Sequence, residues 1–403
     1  MTAPRPCHAW CGPDRDTLRM RLLPLDSLRG IAALSVVLHH CLLVFPSFEP
    51  VLFDRGLPIT ETRSWSAALL TLTPLGLLWS GREPVMLFFV LSGLVLALPF
   101  VSGRKPRYLP FATKRVIRLL APSAVVVLLL ALALPHVPTE SRPDLSRWFA
   151  LSWTEPVTLP LVLQHLVLVH DYYPLNNVLW TLDYELRASL VFPLLVLIAG
   201  LRLPIVAAIG FAAFTAGVVT TRLVGTDILG VLVFLPHFLL GILLARHWAA
   251  IVQRLGTFGV DRRIGLWVLC FLLLRVRWLV PLPGALCDLA NGFGAALLIA
   301  LVMSSAAAQA ALSHRSLVWL GEISFSLYLV HVPLILGALH FAPPQAPPAL
   351  VLAGVIPLSL LIATWMHRLV ERPTIALGRR LAAWLEPDPK RRGATADWPP
   401  AHR

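Results

Sequence analysis

The stretch LDSLRGIAALSVVLHHCLLVF, Leu25–Phe45, decides how the rest of the chain is interpreted. It is apolar enough to cross a bilayer as a helix, yet it contains Arg29 near one end and His39 and His40 towards the other. Arg29 and His40 are eleven positions apart. That spacing is about three helical turns, so both side chains should project from one helix face, roughly 16 Å apart along the axis. Ionisable groups inside a span are costly and indicate a functional site by default.

A structural explanation of the same two residues has to be kept open. Arg29 would then be an anchor that reaches the lipid phosphates, and His40 a neutral imidazole bonded to a neighbouring helix. One detail argues against it for Arg29. If Asp26 or Ser27 caps the helix, Arg29 lies in the first turn, where the helix dipole disfavours a cation. Helix stability alone therefore does not account for it.

The composition indicates a polytopic membrane protein. Of 403 residues, 57% are hydrophobic and only 14% charged, and the mean hydropathy is +0.75. Soluble domains are about a quarter charged. The net charge of +13 comes from Lys and Arg in loops and tails between apolar segments, which is typical of a cytoplasmic membrane face and not of nucleic-acid binding. The five cysteines form no even disulfide set, and Cys7, His8 and Cys11 are one ligand short of a metal site, so we expect no metal.

We predict an all-α, polytopic transmembrane helical bundle of about ten spans. Two shorter apolar pieces, 66–79 and 157–170, should lie at the interface or re-enter the bilayer. The predicted span 264–281 is the most polar near its end, where Arg275 and Arg277 fall. The predicted spans are 25–46, 84–101, 115–135, 179–200, 203–223, 227–247, 264–281, 286–308, 317–340 and 348–370.

The charged loops predict the orientation and the domain limits. The segment Arg104–Arg118 is strongly basic and should be cytoplasmic, and an even number of spans then leaves both termini inside. We expect a cytoplasmic tail over 1–24, one transmembrane domain over 25–371 and a basic cytoplasmic tail over 372–403. The translation start can be Met1 or Met20. No inverted repeat of the kind found in many transporters is evident.

Further motifs follow the opening helix in a fixed order, each weak alone. Together with Leu25–Phe45 they resemble the membrane-bound acyltransferase family 3, the O-acyltransferases of bacterial surface sugars, lipopolysaccharide and macrolides. The resemblance runs from about Leu25 to Pro373. The sequence departs from the family pattern at Met86, Leu186 and Phe325, where family members often carry Asp, a carboxylate and Tyr. The motifs are VMLFFVLSGLVLAL (85–98), FATKRVIRLLAP (111–122), NNVLWTLDYELRASLVFPLL (176–195), LGEISFSLYLVHVPLIL (320–336) and VERP (370–373).

The resemblance implies a membrane enzyme that moves an acyl group, acetyl by preference, from acyl-CoA to a hydroxyl of a saccharide or glycolipid, with a macrolide-type acceptor as the next choice. It implies no tightly bound cofactor and a bacterial inner-membrane location. The reaction needs a base for the hydroxyl proton, and a neutral histidine suits this role. We prefer His40, because His39 points about 100° away from the Arg29 face. Arg29 can bind the phosphates of acyl-CoA through forked donors.

The other candidate site residues come from the same motifs. Arg115 and Arg118 of the basic loop are expected to help Arg29 to bind acyl-CoA. Glu185 is a candidate catalytic carboxylate, although a helix-start charge favoured by the dipole explains it as well. The remaining candidates are expected to bind the acceptor, although polar side chains of this kind more often hold transmembrane helices together. They are Trp180, Tyr328 and His331.

Two rival functions remain open at the level of sequence. A transporter or flippase for a lipid-linked sugar would use the same intramembrane charges as a translocation path. A catalytically silent membrane scaffold would tolerate loss of His40.

Overall fold

A computed structural model describes residues 15–49, 65–103, 106–138, 142–169, 172–224 and 229–386. No strand occurs in these ranges, and the predicted all-α bundle is confirmed. A single π-helical turn, His367–Glu371, joins the last two helices. The α-helices are α1 Arg15–Leu43, α2 Trp65–Leu72, α3 Arg82–Val101, α4 Tyr108–Ala133, α5 Arg147–Ala150, α6 Leu159–Leu166, α7 Leu179–Leu190, α8 Phe192–Ile198, α9 Leu203–Val224, α10 Val231–Gly256, α11 Val260–Leu279, α12 Gly284–Ser304, α13 Ala306–Leu312, α14 Arg315–Glu322, α15 Ser324–Phe341, α16 Pro348–Met366 and α17 Arg372–Trp384.

Within the described ranges, 8 helical segments are long and apolar enough to cross a membrane. Each coincides with a predicted span. The two other predicted spans differ for physical reasons. Segment 179–200 divides into α7 and α8 around Val191, where Pro193 begins a new helix because its ring allows a helix start but not a continuous interior. Helix α11 is long enough to cross a membrane, but the arginines near both of its ends make it more polar than the eight apolar segments. The short pieces α2 and α6, of 8 residues each, cannot span a bilayer.

Helix α1 lies at the centre of the bundle and packs against α3, α14 and α15. Its contact with α14 is so close that a Cβ on Gly30 would lie 2.5 Å from the backbone nitrogen of Gly321. Only glycine at both positions permits this approach. Next to it, the Ser27 hydroxyl donates to the Leu312 carbonyl at 2.5 Å. These contacts fix the rotation of α1, and with it the directions in which Arg29 and His40 point.

Two large apolar clusters form the interior. One joins α1 to α4, α7, α15 and α16. The other joins α1 to α3, α10 and α12. Phe88 and Trp180 pack against both clusters. The candidate site lies along this seam, where α1 contributes to both sides.

Candidate active site

His40 opens into a cavity of about 910 Å³, called the His40 cavity below. Its wall is rich in aromatic side chains and also includes several charged groups. Polar groups converging in a large cavity are the usual signature of a small-molecule site. The lining residues used below are His39, His40, Trp79, Arg82, Glu83, Trp148, Trp180, Arg222, Arg275, Asp288 and Tyr328.

Two neighbours contact the Nδ1 atom of the His40 imidazole. Its Nδ1 lies 3.0 Å from the carbonyl oxygen of Val36, one turn earlier on α1. The same Nδ1 lies 3.1 Å from Nε2 of His331 on α15. Trp148 covers one side of the ring, with 5.5 Å between ring centroids. His40 Nε2 makes no hydrogen bond within the described part of the chain, so this nitrogen is available to a bound molecule.

The neighbouring histidines have different surroundings. His331 is fully buried and does not line the cavity, and its Nδ1 lies 3.1 Å from the carbonyl oxygen of Leu327. His39 lines the cavity, but its ring stacks on Trp79 at 5.7 Å between centroids. Of the three, His40 alone lines the cavity and also contacts His331 of α15 through a ring nitrogen.

Four charged side chains in the His40 cavity form two ion pairs, whereas Arg222 and Arg277, which also line it, make no ion pair within the described residues. Arg82 forms an ion pair with Asp288, which is 1% exposed, and Arg82 Nε lies 3.2 Å from Asp288 Oδ1. The guanidinium also lies 5.3 Å above the ring of Trp180. A second pair joins Arg275 to Glu83 at 3.9 Å. Sequence reasoning missed these four residues, although a carboxylate inside the apolar segment 286–308 was a usable signal for Asp288.

Arg29 opens into a different cavity, of about 830 Å³, called the Arg29 cavity below. Its lining holds more cations than carboxylates. Arg29 lies 4.0 Å from Asp26, whereas Arg118 makes no ion pair or hydrogen bond within the described residues. The charged groups of the lining are Asp26, Arg29, Arg118, Glu322, Arg368, Glu371, Arg372 and Arg379.

The π-helical turn forms part of this second cavity. Glu371 is buried, and its Oε2 accepts a hydrogen bond from the Ser326 hydroxyl at 2.7 Å. His367 Nδ1 lies 2.9 Å from the same oxygen. Arg368 in the turn and Arg372 directly after it line the same cavity as Arg29. Single π-turns inside helices occur frequently at functional sites. The sequence motif VERP marked this segment but did not indicate that Arg372 lines a cavity with Arg29.

Glu185 and Arg115 line neither cavity. Arg115 Nη2 lies 2.7 Å from Glu185 Oε1, and Arg115 Nε donates to the Ser189 hydroxyl at 3.0 Å. The Ser92 hydroxyl donates to the same Glu185 oxygen at 2.9 Å. This network joins α3, α4 and α7.

The structure thus brings together some of the predicted residues and separates others. Trp180 and Tyr328 share the His40 cavity, and Arg118 joins Arg29 in the other. Their shared helix face had suggested that Arg29 and His40 line one continuous wall, but they line two different cavities. The wall between the two cavities is thin along α15. Ser324 lines the Arg29 cavity and Tyr328, four residues later, lines the His40 cavity, a rise of about 6 Å.

Two contacts of Tyr328 close the wall at this point. Its ring meets the ring of Phe88 edge-on, with 5.9 Å between centroids. Its hydroxyl lies 2.9 Å from the Thr181 hydroxyl. No group of three metal-binding side chains occurs among the described residues, and Cys7, His8 and Cys11 lie outside them.

Comparison with known proteins gives two matches. The sequence matches the family described as an acyltransferase domain, acyltransferase family 3, over residues 23–368. The O-acetyltransferase PaAT-1 of Phomopsis amygdali is 29% identical over 201 residues, which is 41% of this chain and 38% of the relative. The matched part is therefore well under half of that relative's length. No solved structure matches the chain.

Proposed function

Because this chain belongs to acyltransferase family 3, we propose that it is a membrane O-acyltransferase that moves an acyl group, acetyl by preference, from acyl-CoA to a hydroxyl of a saccharide or glycolipid. One observation carries the proposal. His40 presents a free ring nitrogen to a cavity that is separated, by about one turn of α15, from a cavity lined by five arginines. Such an arrangement suits a polyanionic donor on one side and a neutral acceptor on the other.

The donor binds in the Arg29 cavity. Arg29 and Arg118 contact the phosphates of acyl-CoA, and the arginines of the π-turn and α17, Arg368, Arg372 and Arg379, extend the same surface. Guanidinium groups bind phosphate through two parallel hydrogen bonds, which gives both strength and direction. The pantetheine arm then has to pass the Tyr328 wall so that the thioester reaches His40. No tightly bound cofactor is needed.

His40 acts as the general base. Its Nε2 accepts the proton of the acceptor hydroxyl while the hydroxyl oxygen forms a bond to the thioester carbonyl carbon. The carbon–sulfur bond then breaks, and the proton passes from His40 to the departing thiolate, which leaves free CoA and an ester. Positioned general bases contribute about 10²- to 10⁴-fold to rates.

The acceptor binds in the His40 cavity. Trp180 and Trp148 offer flat apolar faces to a sugar ring, and Tyr328 lies at the floor of the cavity. Asp288 fixes the orientation of the Arg82 guanidinium above Trp180. The N–H groups of Arg82 that do not bond Asp288 can donate hydrogen bonds to the acceptor. Glu185, paired with Arg115, acts by holding α3, α4 and α7 in register, and the prediction that it takes part in catalysis remains to be tested.

The proposed location is a bacterial inner membrane with both termini in the cytoplasm. The basic surface of the Arg29 cavity supports this orientation, because cytoplasmic ends of spans are rich in Lys and Arg. In this proposed orientation the donor cavity lies on the side where acyl-CoA is present, and the acceptor cavity lies on the opposite side.

The direct test uses purified full-length protein in lipid nanodiscs with radiolabelled acetyl-CoA and surface-glycan acceptors. Mass spectrometry of glycans and lipids from cells with and without the gene identifies the acceptor. We expect acyl groups to be missing in the deletion strain and restored by wild type, but not by Arg29→Ala or His40→Ala variants that accumulate normally. An unchanged glycan, lipid and secondary-metabolite profile would refute the proposal.

A flippase for a lipid-linked sugar is the second candidate, because two cavities that lie about three turns apart along α1 with a thin wall between them also suit alternating access. Transport of a lipid-linked sugar across vesicles that lack acyl-CoA would support it over acyl transfer.

A further inference from the structure

We propose that His331 is a positioning residue that holds His40 in the tautomer whose Nε2 carries a free lone pair. The inference rests on the proposed role of His40 as the base. It gives His331 a task other than the acceptor binding expected from the sequence, because His331 is fully buried and contacts His40 without reaching the cavity.

Three contacts define the arrangement of the two rings. His40 Nδ1 lies 3.0 Å from the Val36 carbonyl oxygen and 3.1 Å from His331 Nε2. His331 Nδ1 lies 3.1 Å from the Leu327 carbonyl oxygen. Both carbonyl oxygens accept hydrogen bonds and cannot donate, so each facing nitrogen must carry a hydrogen if the contact is to be favourable.

Only one assignment of neutral tautomers satisfies all three contacts. In it, His331 carries its proton on Nδ1 and donates to Leu327, which leaves His331 Nε2 as an acceptor. His40 also carries its proton on Nδ1 and shares it between the Val36 carbonyl and His331 Nε2, a three-centre bond. The opposite assignment would place two nitrogen lone pairs against carbonyl oxygens. His40 Nε2 is then bare and faces the cavity.

The same contact also acts during the reaction. When His40 Nε2 takes the hydroxyl proton, the ring becomes a cation and its Nδ1–H becomes a stronger donor. A hydrogen bond from a charged donor is shorter and about twice as strong as a neutral one, and His331 Nε2 is already in place to accept it. The aspartate of a serine-protease triad fixes a histidine tautomer in a comparable way, whereas here the acceptor is a second imidazole.

The titratable groups around this pair are few within the described residues. His39 contacts His40, with 5.3 Å between ring centroids, and Tyr328 contacts His331 at 5.8 Å. A pH profile of the rate therefore needs His39→Asn as a control, so that a change due to His39 is separated from one due to the His40–His331 contact.

Two substitutions of His331 distinguish a role in positioning His40 from a role in folding. In His331→Gln the amide oxygen lies at about the position of Nε2 and can accept the His40 proton. In His331→Asn the side chain is shorter: it can still donate to Leu327 but does not reach His40. Purified full-length variants in nanodiscs are compared by steady-state kinetics, with thermal unfolding and size-exclusion profiles as fold controls.

We expect His331→Asn to lower kcat at least about tenfold with unchanged KM for acetyl-CoA and acceptor, and to displace the acidic limb of the pH–kcat profile. His331→Gln should recover most of the lost kcat. Equal kcat values for the Asn and Gln variants would overturn the inference about His331. Full activity of His40→Gln would instead show that His40 is not the general base, and the proposed function would fail.

A measurement on wild-type protein keeps the test independent of variant folding. The ¹⁵N chemical shifts of selectively labelled histidine, with His40 assigned by comparison with His40→Gln, report the tautomer directly. We expect a protonated Nδ1 and an unprotonated Nε2. The reverse pattern on His40 would overturn the inference even if every His331 variant misfolds.

Discussion

The His40 cavity and the Arg29 cavity lie about three turns apart along α1, and they differ in how their charged side chains are paired. In the His40 cavity, Arg82 is paired with Asp288 and Arg275 with Glu83. In the Arg29 cavity, Arg118 has no carboxylate partner among the described residues, and five arginines face three acids. A buried charge is tolerated when it is paired, so unpaired cations mark a place where an anion is expected to bind.

The two cavities carry the same surplus of two cations, because four arginines and two acids line the His40 cavity and five arginines and three acids line the Arg29 cavity. They differ in pairing. Two of the four arginines of the His40 cavity are ion-paired, which gives it fixed hydrogen-bond donors beside tryptophan faces and suits a sugar. In the Arg29 cavity only Arg29 approaches a carboxylate within the described residues, Asp26 at 4.0 Å, and the four other arginines remain available to several phosphates. Between the two cavities, the Tyr328 wall keeps the two environments apart.

The largest effect is expected for His40→Gln, which keeps polarity and approximate size but removes the base. We expect kcat to fall by about 10²- to 10⁴-fold, while KM for acetyl-CoA changes little because the donor binds in the other cavity. Steady-state kinetics in nanodiscs measures both constants, and His39→Asn serves as the control from the same cavity. A raised donor KM with unchanged kcat would contradict the assignment of the two cavities.

A smaller effect is expected for Arg118→Gln, which removes one unpaired cation. A hydrogen bond to a charged group contributes about 1.5–3 kcal/mol, so KM for acetyl-CoA should rise about tenfold or more. Dephospho-CoA donors, which lack one phosphate, should reduce the difference between variant and wild type if Arg118 binds that phosphate.

Arg222→Gln is the matched control, because Arg222 is an exposed arginine that lines the His40 cavity. We expect it to leave the donor KM unchanged. Equal increases for the Arg118 and Arg222 variants would mean that general positive charge, and not a donor site, attracts acyl-CoA.

The sequence predicted the helical class and the family because both depend on local patterns. Long apolar segments identify spans from composition alone, and all eight structural spans coincide with predicted ones. Motif order identified the acyltransferase family, which the match over residues 23–368 confirms. The break at Val191 was missed, because the apolar run continues through Pro193 and hydropathy does not register the lost backbone hydrogen bond.

The site was predictable only in part, because partners distant in sequence cannot be read from spacing. Helical phase placed Arg29 and His40 on one face, but it did not show that the packing of Phe88 and Tyr328 divides that face into two cavities. The contact of His40 with His331, 291 positions away, depends on how α1 meets α15. The same holds for Asp288, which sequence analysis left inside an ordinary span.

A moderate effect is expected for Tyr328→Ala, which removes the ring that closes the wall. Water and donor should then meet at His40 more easily, so hydrolysis of acetyl-CoA should increase relative to transfer. Tyr328→Phe is the control, since it keeps the ring contact with Phe88 and loses only the hydrogen bond to Thr181. The ratio of free acetate to acylated product measures the effect, and equal ratios in both variants would show that Tyr328 is not the barrier.

The smallest effect concerns an ion pair between a buried arginine and an exposed aspartate on the His40 side. Arg142 forms a forked pair with Asp144, at 3.0 and 2.9 Å, and donates to the Leu339 carbonyl near the end of α15. Trp148 of the His40 cavity follows four residues after Asp144. The hydrogen bonds from Arg142 hold the pKa of the Asp144 carboxyl below its ordinary value. A carboxyl with a lowered pKa stabilises the folded protein above the ordinary pKa, and this contribution is lost as pH falls through the lowered one.

Asp144→Asn should therefore unfold at a temperature about 1–2 °C below wild type at pH 7, because exposed pairs contribute only about 0.2–1 kcal/mol. The difference should begin to shrink as the pH is lowered below the ordinary aspartate pKa of about 4, and it should vanish once the pH passes the lowered pKa, where folded wild type loses the same charge. Thermal unfolding in detergent across this pH range checks the sign. Since the pair holds the segment that carries Trp148, the acceptor KM should rise slightly in the variant and the donor KM should not. A change confined to the donor KM would mean that the two cavities are coupled through α15 and are not independent sites.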